Sequence, residues 1–115
     1  MEFVKPSTPE VFDMIDAALK FDPDATKGKE GIYQFELTGD DGGTYQMIIN
    51  EEGAQAVEGT KETAQVTLTV NEEDFKEMVE GSLNPTAAFM SGKLKIKGNM
   101  GLALKLQTVL NSFSF

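Results

Sequence analysis

With 115 residues, 40% hydrophobic and 25% charged, the chain is the size of one globular domain, too apolar for disorder, and able to bury roughly two thirds of its unfolded surface. It has no Cys and no His, which excludes disulfides, thiolate nucleophiles, imidazole bases and the usual zinc ligands. The formal net charge is −9 and every basic residue is Lys, which argues against nucleic acid, where clustered cations must neutralise phosphates, and against permanent residence on an anionic membrane.

Taken in chain order, Met1 to Pro6 has no apolar run of signal-peptide length. Ser7, Thr8, Pro9 and Glu10 read as a helix start, with a hydroxyl cap, a proline in the first turn and a carboxylate at the positive helix end. Val11, Phe12, Ile15, Ala18 and Leu19 give that helix its apolar stripe to about Lys20, and residues 22 to 30 form a loop. From Gly31 the period becomes two: Tyr33, Phe35 and Leu37 mark one strand, Tyr45, Met47 and Ile49 the next, and a short strand covers Ala54 to Glu58. Gly- and Asp-rich or Asn-containing turns separate them. Ala64, Val66, Leu68 and Val70 mark a fourth strand, and the four strands are expected to form a meander.

Asn71 opens a short helix carrying Phe75, Met78 and Val79 and closed by Gly81; Asn84-Pro85 opens another through Phe89 and Met90, ended at Gly92. Leu94 and Ile96 alternate with Lys93, Lys95 and Lys97 on a fifth strand, and Gly98-Asn99 turns into a last helix. The order predicts an α+β two-layer domain: a five-stranded, mainly antiparallel twisted sheet covered on one face by helices, its other face wet.

The last helix is apolar over far more than one stripe: Met100, Leu102, Ala103, Leu104, Leu106, Val109, Leu110 and Phe113 leave mainly Lys105, Gln107, Thr108 and Asn111 as polar relief. Such a helix has one layer to pack on, so part of its surface needs a lipid or another chain. Together with Phe12, Phe75, Met78, Phe89 and Met90, it points to a core containing an adaptable cavity, because Met fills irregular space. Lys93, Lys95 and Lys97 have two readings: a solvated strand face that discourages edge pairing, or a landing site for a carboxylate, a phosphate or an anionic bilayer. Gly98-Asn99-Met100-Gly101 also has two: a tight strand-to-helix turn, or an anion site like the phosphate clamp of KH RNA-binding domains, which the net charge opposes. Glu72, Glu73, Asp74, Glu77 and Glu80 read as a solvated helix face, and Asp22/Asp24 and Asp40/Asp41 lack calcium-loop spacing. No catalytic constellation stands out and no metal is expected.

The segment from Asn84 to Gln107 resembles the C-terminal part of the sterol carrier protein type 2 family of lipid-transfer domains. Asn84-Pro85, Ala88-Phe89, Gly92-Lys93-Leu94-Lys95-Ile96, Gly98-Asn99-Met100-Gly101-Leu102-Ala103 and Lys105-Leu106-Gln107 occur together in the family's order, and Asp74-Phe75, Met78 and Gly81 fit upstream. The resemblance implies an apolar tunnel under the helices that takes sterols, fatty acids or fatty acyl-CoA.

The resulting expectation is one non-enzymatic lipid-binding and transfer domain over residues 1–115, without a cofactor. The alternative is an accessory domain presenting a quinone-like or acyl intermediate to a partner enzyme. The expected lipid-binding side chains are Phe12, Ile15, Leu19, Phe35, Met47, Phe75, Met78, Phe89, Met90, Met100, Leu102, Leu104, Leu106, Gln107 and Leu110, with Lys93, Lys95 and Lys97 for a head group or a transient membrane contact. The chain is expected to be a monomer or weak dimer. It ends in Asn111-Ser112-Phe113-Ser114-Phe115 where peroxisomal family members carry a Ser-Lys-Leu-like address, so the expected location is cytoplasmic.

Overall fold

The computed structural model describes residues 6–21 and 23–111, with the side chains of residues 23, 25, 110 and 111 outside that description. Helix α1 (Thr8–Phe21) begins where Ser7 Oγ accepts from the Glu10 N–H at 3.3 Å, and it buries Val11, Phe12, Ile15 and Leu19 along one face. A 3-10 turn (Pro23–Thr26) lies within the expected loop. Strands β1 (Gly31–Thr38), β2 (Gly43–Asn50) and β3 (Gly53–Glu58) follow as consecutive antiparallel neighbours.

The fourth strand corrects the expected meander. β4 (Val66–Asn71) does not lie beside β3; it pairs in parallel with the far side of β1, Tyr33 opposite Val66 and Phe35 opposite Leu68. Antiparallel β5 (Leu94–Gly98) completes a mixed sheet of order β3-β2-β1-β4-β5. Alternation fixes which face a side chain takes, whereas the choice of neighbour rests on the connection.

That connection, residues 59–65, also keeps the outer face of the sheet from being uniformly wet. Gln46 is fully buried there: its amide donates to Gln34 Oε1 at 2.9 Å and to the Glu62 carbonyl at 2.7 Å, and Gln46 Oε1 accepts from the Glu62 N–H at 2.9 Å. Ile48, on the same face, is buried as well. A long crossing must satisfy its backbone groups somewhere, and a buried glutamine does so from the strand beneath.

Helix α2 (Glu72–Glu80) is capped by Asn71, which accepts from the Glu73 N–H, and stopped by Gly81 in the left-handed region at φ 89°. Its acidic face is not wholly solvated. Glu72 is buried and ion-paired with Lys76 at 2.9 Å, and Lys76 reaches Asp41 at 3.0 Å. Asp41 also accepts from the Thr8 N–H at 2.7 Å, so one carboxylate ties the β1–β2 turn to the start of α1 and to α2. The Thr8 backbone bond, then Lys76, holds Asp41 below the ordinary carboxylate value. Burial would depress the Lys76 ammonium, but Glu72 and Asp41 outweigh it and raise the net value.

Helix α3 (Pro85–Met90) is capped by Asn84, which accepts from the Thr86 and Ala87 N–H groups, with Pro85 in the first turn. Helix α4 (Met100–Asn111) starts at Asn99, whose Oδ1 accepts from the Leu102 N–H at 3.1 Å. Gly98, at φ 106°, is required here: a Cβ would sit 2.5 Å from the Gln65 carbonyl oxygen. That oxygen also accepts from the Asn99 N–H at 3.0 Å, so Gly98 to Gly101 forms a tight strand-to-helix turn.

Candidate functional site

The inner face of the sheet has two unlike halves. Under α1, Phe12 stacks between Tyr45 and Phe75, with ring centroids 4.1 and 5.2 Å away and planes within 4°, while Phe35 tilts against both phenylalanines. Ile15, Leu19 and Met47 are also fully enclosed in this core. Under α3 and α4 the packing fails to close, leaving an apolar cavity of about 170 Å³.

Each bounding element contributes through its own periodicity. Leu68 from β4 and Leu94 and Ile96 from β5 form the floor, since Leu68 opposes Ile96 and both point to the helix side. Met78 comes from α2, and Pro85, Thr86 and Phe89 from α3. Met100, Ala103, Leu104, Leu106 and Gln107 of α4 supply the remaining wall. Helix α4 works through two faces: Leu102, Leu106 and Val109 are buried, Leu106 also reaching the cavity, while Met100, Ala103, Leu104 and Gln107 line it at i, i+3, i+4, i+7 spacing.

Among the described residues no titratable side chain lines the cavity, and its two polar side chains share one hydrogen bond, Thr86 Oγ1 donating to Gln107 Oε1 at 3.0 Å. The lining of Leu, Ile, Met and Phe suits a dry space, similar in volume to engineered cavities of about 150 Å³ that take up benzene. Phe89, Met100 and Leu104 line the space and are also exposed, so they form its mouth.

Of the side chains expected to touch lipid, Met78, Phe89, Met100, Leu104, Leu106 and Gln107 meet around the cavity. Phe12, Ile15, Leu19, Phe35, Met47 and Phe75 pack in the solid core instead. Leu102 packs over Gly31, Met90 is 82% exposed outside the cavity, and Leu110 and Phe113 lie outside the described side chains. Sequence reasoning missed Leu68, Pro85, Thr86, Leu94, Ile96 and Ala103 as lining residues. The strand residues carried a usable signal, because they share parity with the buried face; Pro85 and Thr86 did not, since they looked like a helix start and nothing more. Lys93, Lys95 and Lys97 are exposed, and Lys95 and Lys97 lie opposite Thr69 and Thr67 on the face away from the cavity.

The chain is thus an α+β domain with an apolar hollow beneath α4. The SCP-2 sterol transfer family matches residues 13–111, and the chain belongs to that family. It is 42% identical over 106 residues to hydroxysteroid dehydrogenase-like protein 2 of Bos taurus, a match covering 91% of this chain and 25% of that protein. The chain thus spans about a quarter of the length of the curated relatives it matches. Sterol carrier protein domain 2 of Helicoverpa armigera superposes with a TM-score of 0.72 at 33% identity, over 90% of this chain and 84% of that one. Palmitated SCP2L2 of Aedes aegypti shares the fold at a TM-score of 0.74 and 24% identity, over 96% of this chain and 99% of that one.

Proposed function

We propose that this domain is a non-catalytic lipid carrier that holds the apolar part of a fatty acid, a fatty acyl-CoA or a sterol between β4–β5 and α3–α4. The observation that carries the reading is the cavity itself: apolar, open at one side and, among the described residues, free of any titratable group in its wall. Support comes from family membership, from the sterol carrier name of the Helicoverpa domain and from the palmitate on the Aedes protein.

A cavity of about 170 Å³ suits a ring or a short stretch of chain, so a long ligand enters as α4 lifts outward. A helix with a half-exposed face and few enclosing neighbours opens at lower cost than a central strand. Each buried methylene contributes about 0.8 kcal/mol, so roughly ten give about 8 kcal/mol before immobilisation costs, consistent with micromolar or somewhat tighter binding. Apolar contact distinguishes chain lengths weakly, so selectivity is broad. Gln107, its carbonyl taken by Thr86, offers its amide N–H₂ to the polar end of a ligand.

Leu104→Asp tests the reading. Leu104 is 67% exposed and its loss leaves the core intact, yet it puts a charge at the cavity mouth. Binding of a fluorescent fatty acid should weaken at least roughly tenfold, about 1.4 kcal/mol, with unchanged circular dichroism. An unaltered Kd would remove the cavity from the function.

A second reading has a specific observation in its favour. Because the chain matches only about a quarter of relatives named hydroxysteroid dehydrogenase-like, the domain can serve as an accessory module that presents a lipophilic intermediate to a catalytic unit. Little transfer between membranes by the isolated domain, with stable capture of one enzyme, would favour it.

A further inference from the structure

The two edges of the sheet, β3 and β5, are finished differently. At β3, helix α1 lies against the strand; Asp16 Oδ1 accepts from the Ala56 N–H at 2.9 Å, while Asp16 Oδ2 pairs with Lys20 at 2.8 Å. A helix and its carboxylate thus stand where a further strand would pair, which is one way that proteins blunt an edge. Among the described residues β5 carries no such brace. Helix α3 packs on its helix side, and Lys95, Lys97 and Gly98 are exposed. Alternate residues of an edge strand direct their N–H and C=O groups away from its one partner, here β4.

Charge separates the two edges as well. All 19 acidic residues lie before residue 81; from there on the sequence has Lys93, Lys95, Lys97 and Lys105 and neither Asp nor Glu. Among the described residues none of these four lysines forms an ion pair, whereas Lys20, Lys27 and Lys76 do. Lys95 and Lys97 stand opposite Thr69 and Thr67, so no carboxylate answers them across the ladder. Beside β3, by contrast, Glu51, Glu52 and Glu58 are exposed.

We propose that β5 is a docking edge for an extended acidic segment of a partner protein, which adds to the sheet as its next strand. The occupant follows from charge complementarity. Side chains on one face of a strand recur every second residue, so Asp or Glu at alternate positions of the incoming segment meets Lys95 and Lys97 while main-chain bonds fix the register. The intervening side chains turn to the helix side, where Phe89 and Met90 at the end of α3 are 43% and 82% exposed, and there apolar residues fit. A second copy of this chain does not suit the edge: β5 against β5 sets lysine against lysine, and β3 is held by α1. Docking here is separate from the cargo, because Lys95 and Lys97 lie on the face away from the cavity.

The test is fluorescence anisotropy of the full chain with a labelled peptide of about eight residues that alternates Glu and Val, against the matching peptide of Lys and Val. The Glu peptide should bind saturably and at least roughly tenfold more tightly than the Lys peptide, and the difference should shrink as salt is raised. Amide exchange followed by NMR should show alternate β5 N–H groups gaining protection when the Glu peptide binds. Lys95→Glu/Lys97→Glu, on exposed side chains, should reverse the preference in favour of the Lys peptide. Lys27→Glu/Lys61→Glu, the same charge change elsewhere, should leave it within about twofold, and fluorescent fatty-acid affinity should hold in both variants. Binding without protection at β5, equal affinity for the two peptides, equal effects of the two double variants, or no binding at all would overturn the proposal. So would a dimer in sedimentation that protects the same amides, since a second copy would then fill the edge. If peptide docking fails while fatty-acid binding holds, only this proposal falls.

Discussion

The α1 half and the α4 half of the domain draw on similar apolar side chains and reach opposite results. Under α1 the residues are mostly rigid and aromatic: Phe12 stacks within 4° of the planes of Tyr45 and Phe75, and little space remains. Under α4 they are Leu, Ile and Met around small Ala103 and a short α3 helix, and about 170 Å³ stays open. Apolar content therefore does not tell a core from a binding site. Shape does: flat rings that interlock seal a layer, whereas flexible chains on two short helices leave a hollow.

The comparison breaks most visibly at its sealed half. Phe12→Ala should destabilise the domain by about 3–5 kcal/mol in urea unfolding, because three stacked or tilted rings lose their common partner. Where the variant is still folded, its fatty-acid affinity should stay near wild type; a large affinity loss would place the ligand under α1 instead.

Alkaline pH probes the same half more gently. Burial, then Glu30, pushes the Tyr33 hydroxyl from 10.0 up to about 12. The stability tied to its neutral form is complete below pH 10 and is lost as pH rises toward 12, because the unfolded chain ionises first. The loss should reach about 2–3 kcal/mol and be absent in Tyr33→Phe, measured as the difference between the two unfolding curves. An identical alkaline slope in both proteins would show the phenol to be hydrated.

The hollow half should respond in the opposite sense to added bulk. Ala103→Leu inserts methyl groups into the cavity and should stabilise the unliganded domain by about 1 kcal/mol while weakening fatty-acid binding several-fold. A loss of stability would mean that the wall around Ala103 is already in contact.

Much of this architecture was legible. Alternation over Tyr33–Leu37, Tyr45–Ile49 and Val66–Val70 assigned the buried faces, and Asn71, Asn84 and Gly81 marked helix ends where they are observed. What escaped depended on contacts between distant residues. Nothing local to Val66 says that it pairs with Tyr33 and not with β3. Nothing local to Gln46 says that a crossing loop will bury it, nor to Asp41 that Thr8 and Lys76 will claim it. The site was half legible for the same reason. The double stripe of α4 is written in its sequence, but which apolar residues enclose space and which fill it is decided by the depth of the opposing layer.

The parallel seam between β1 and β4 sets an order on synthesis. Residues 8–58 build α1 and three strands that pair with their immediate neighbours, so this unit can assemble as soon as it has emerged. β4 can join only after the 59–65 crossing has been made, and the pairing of Tyr33 with Val66 closes a long loop of chain. The described residues that line the hollow, from Leu68 to Gln107, are therefore all translated after this unit, so the nascent α1–β3 unit has neither the floor nor a wall that could hold a guest.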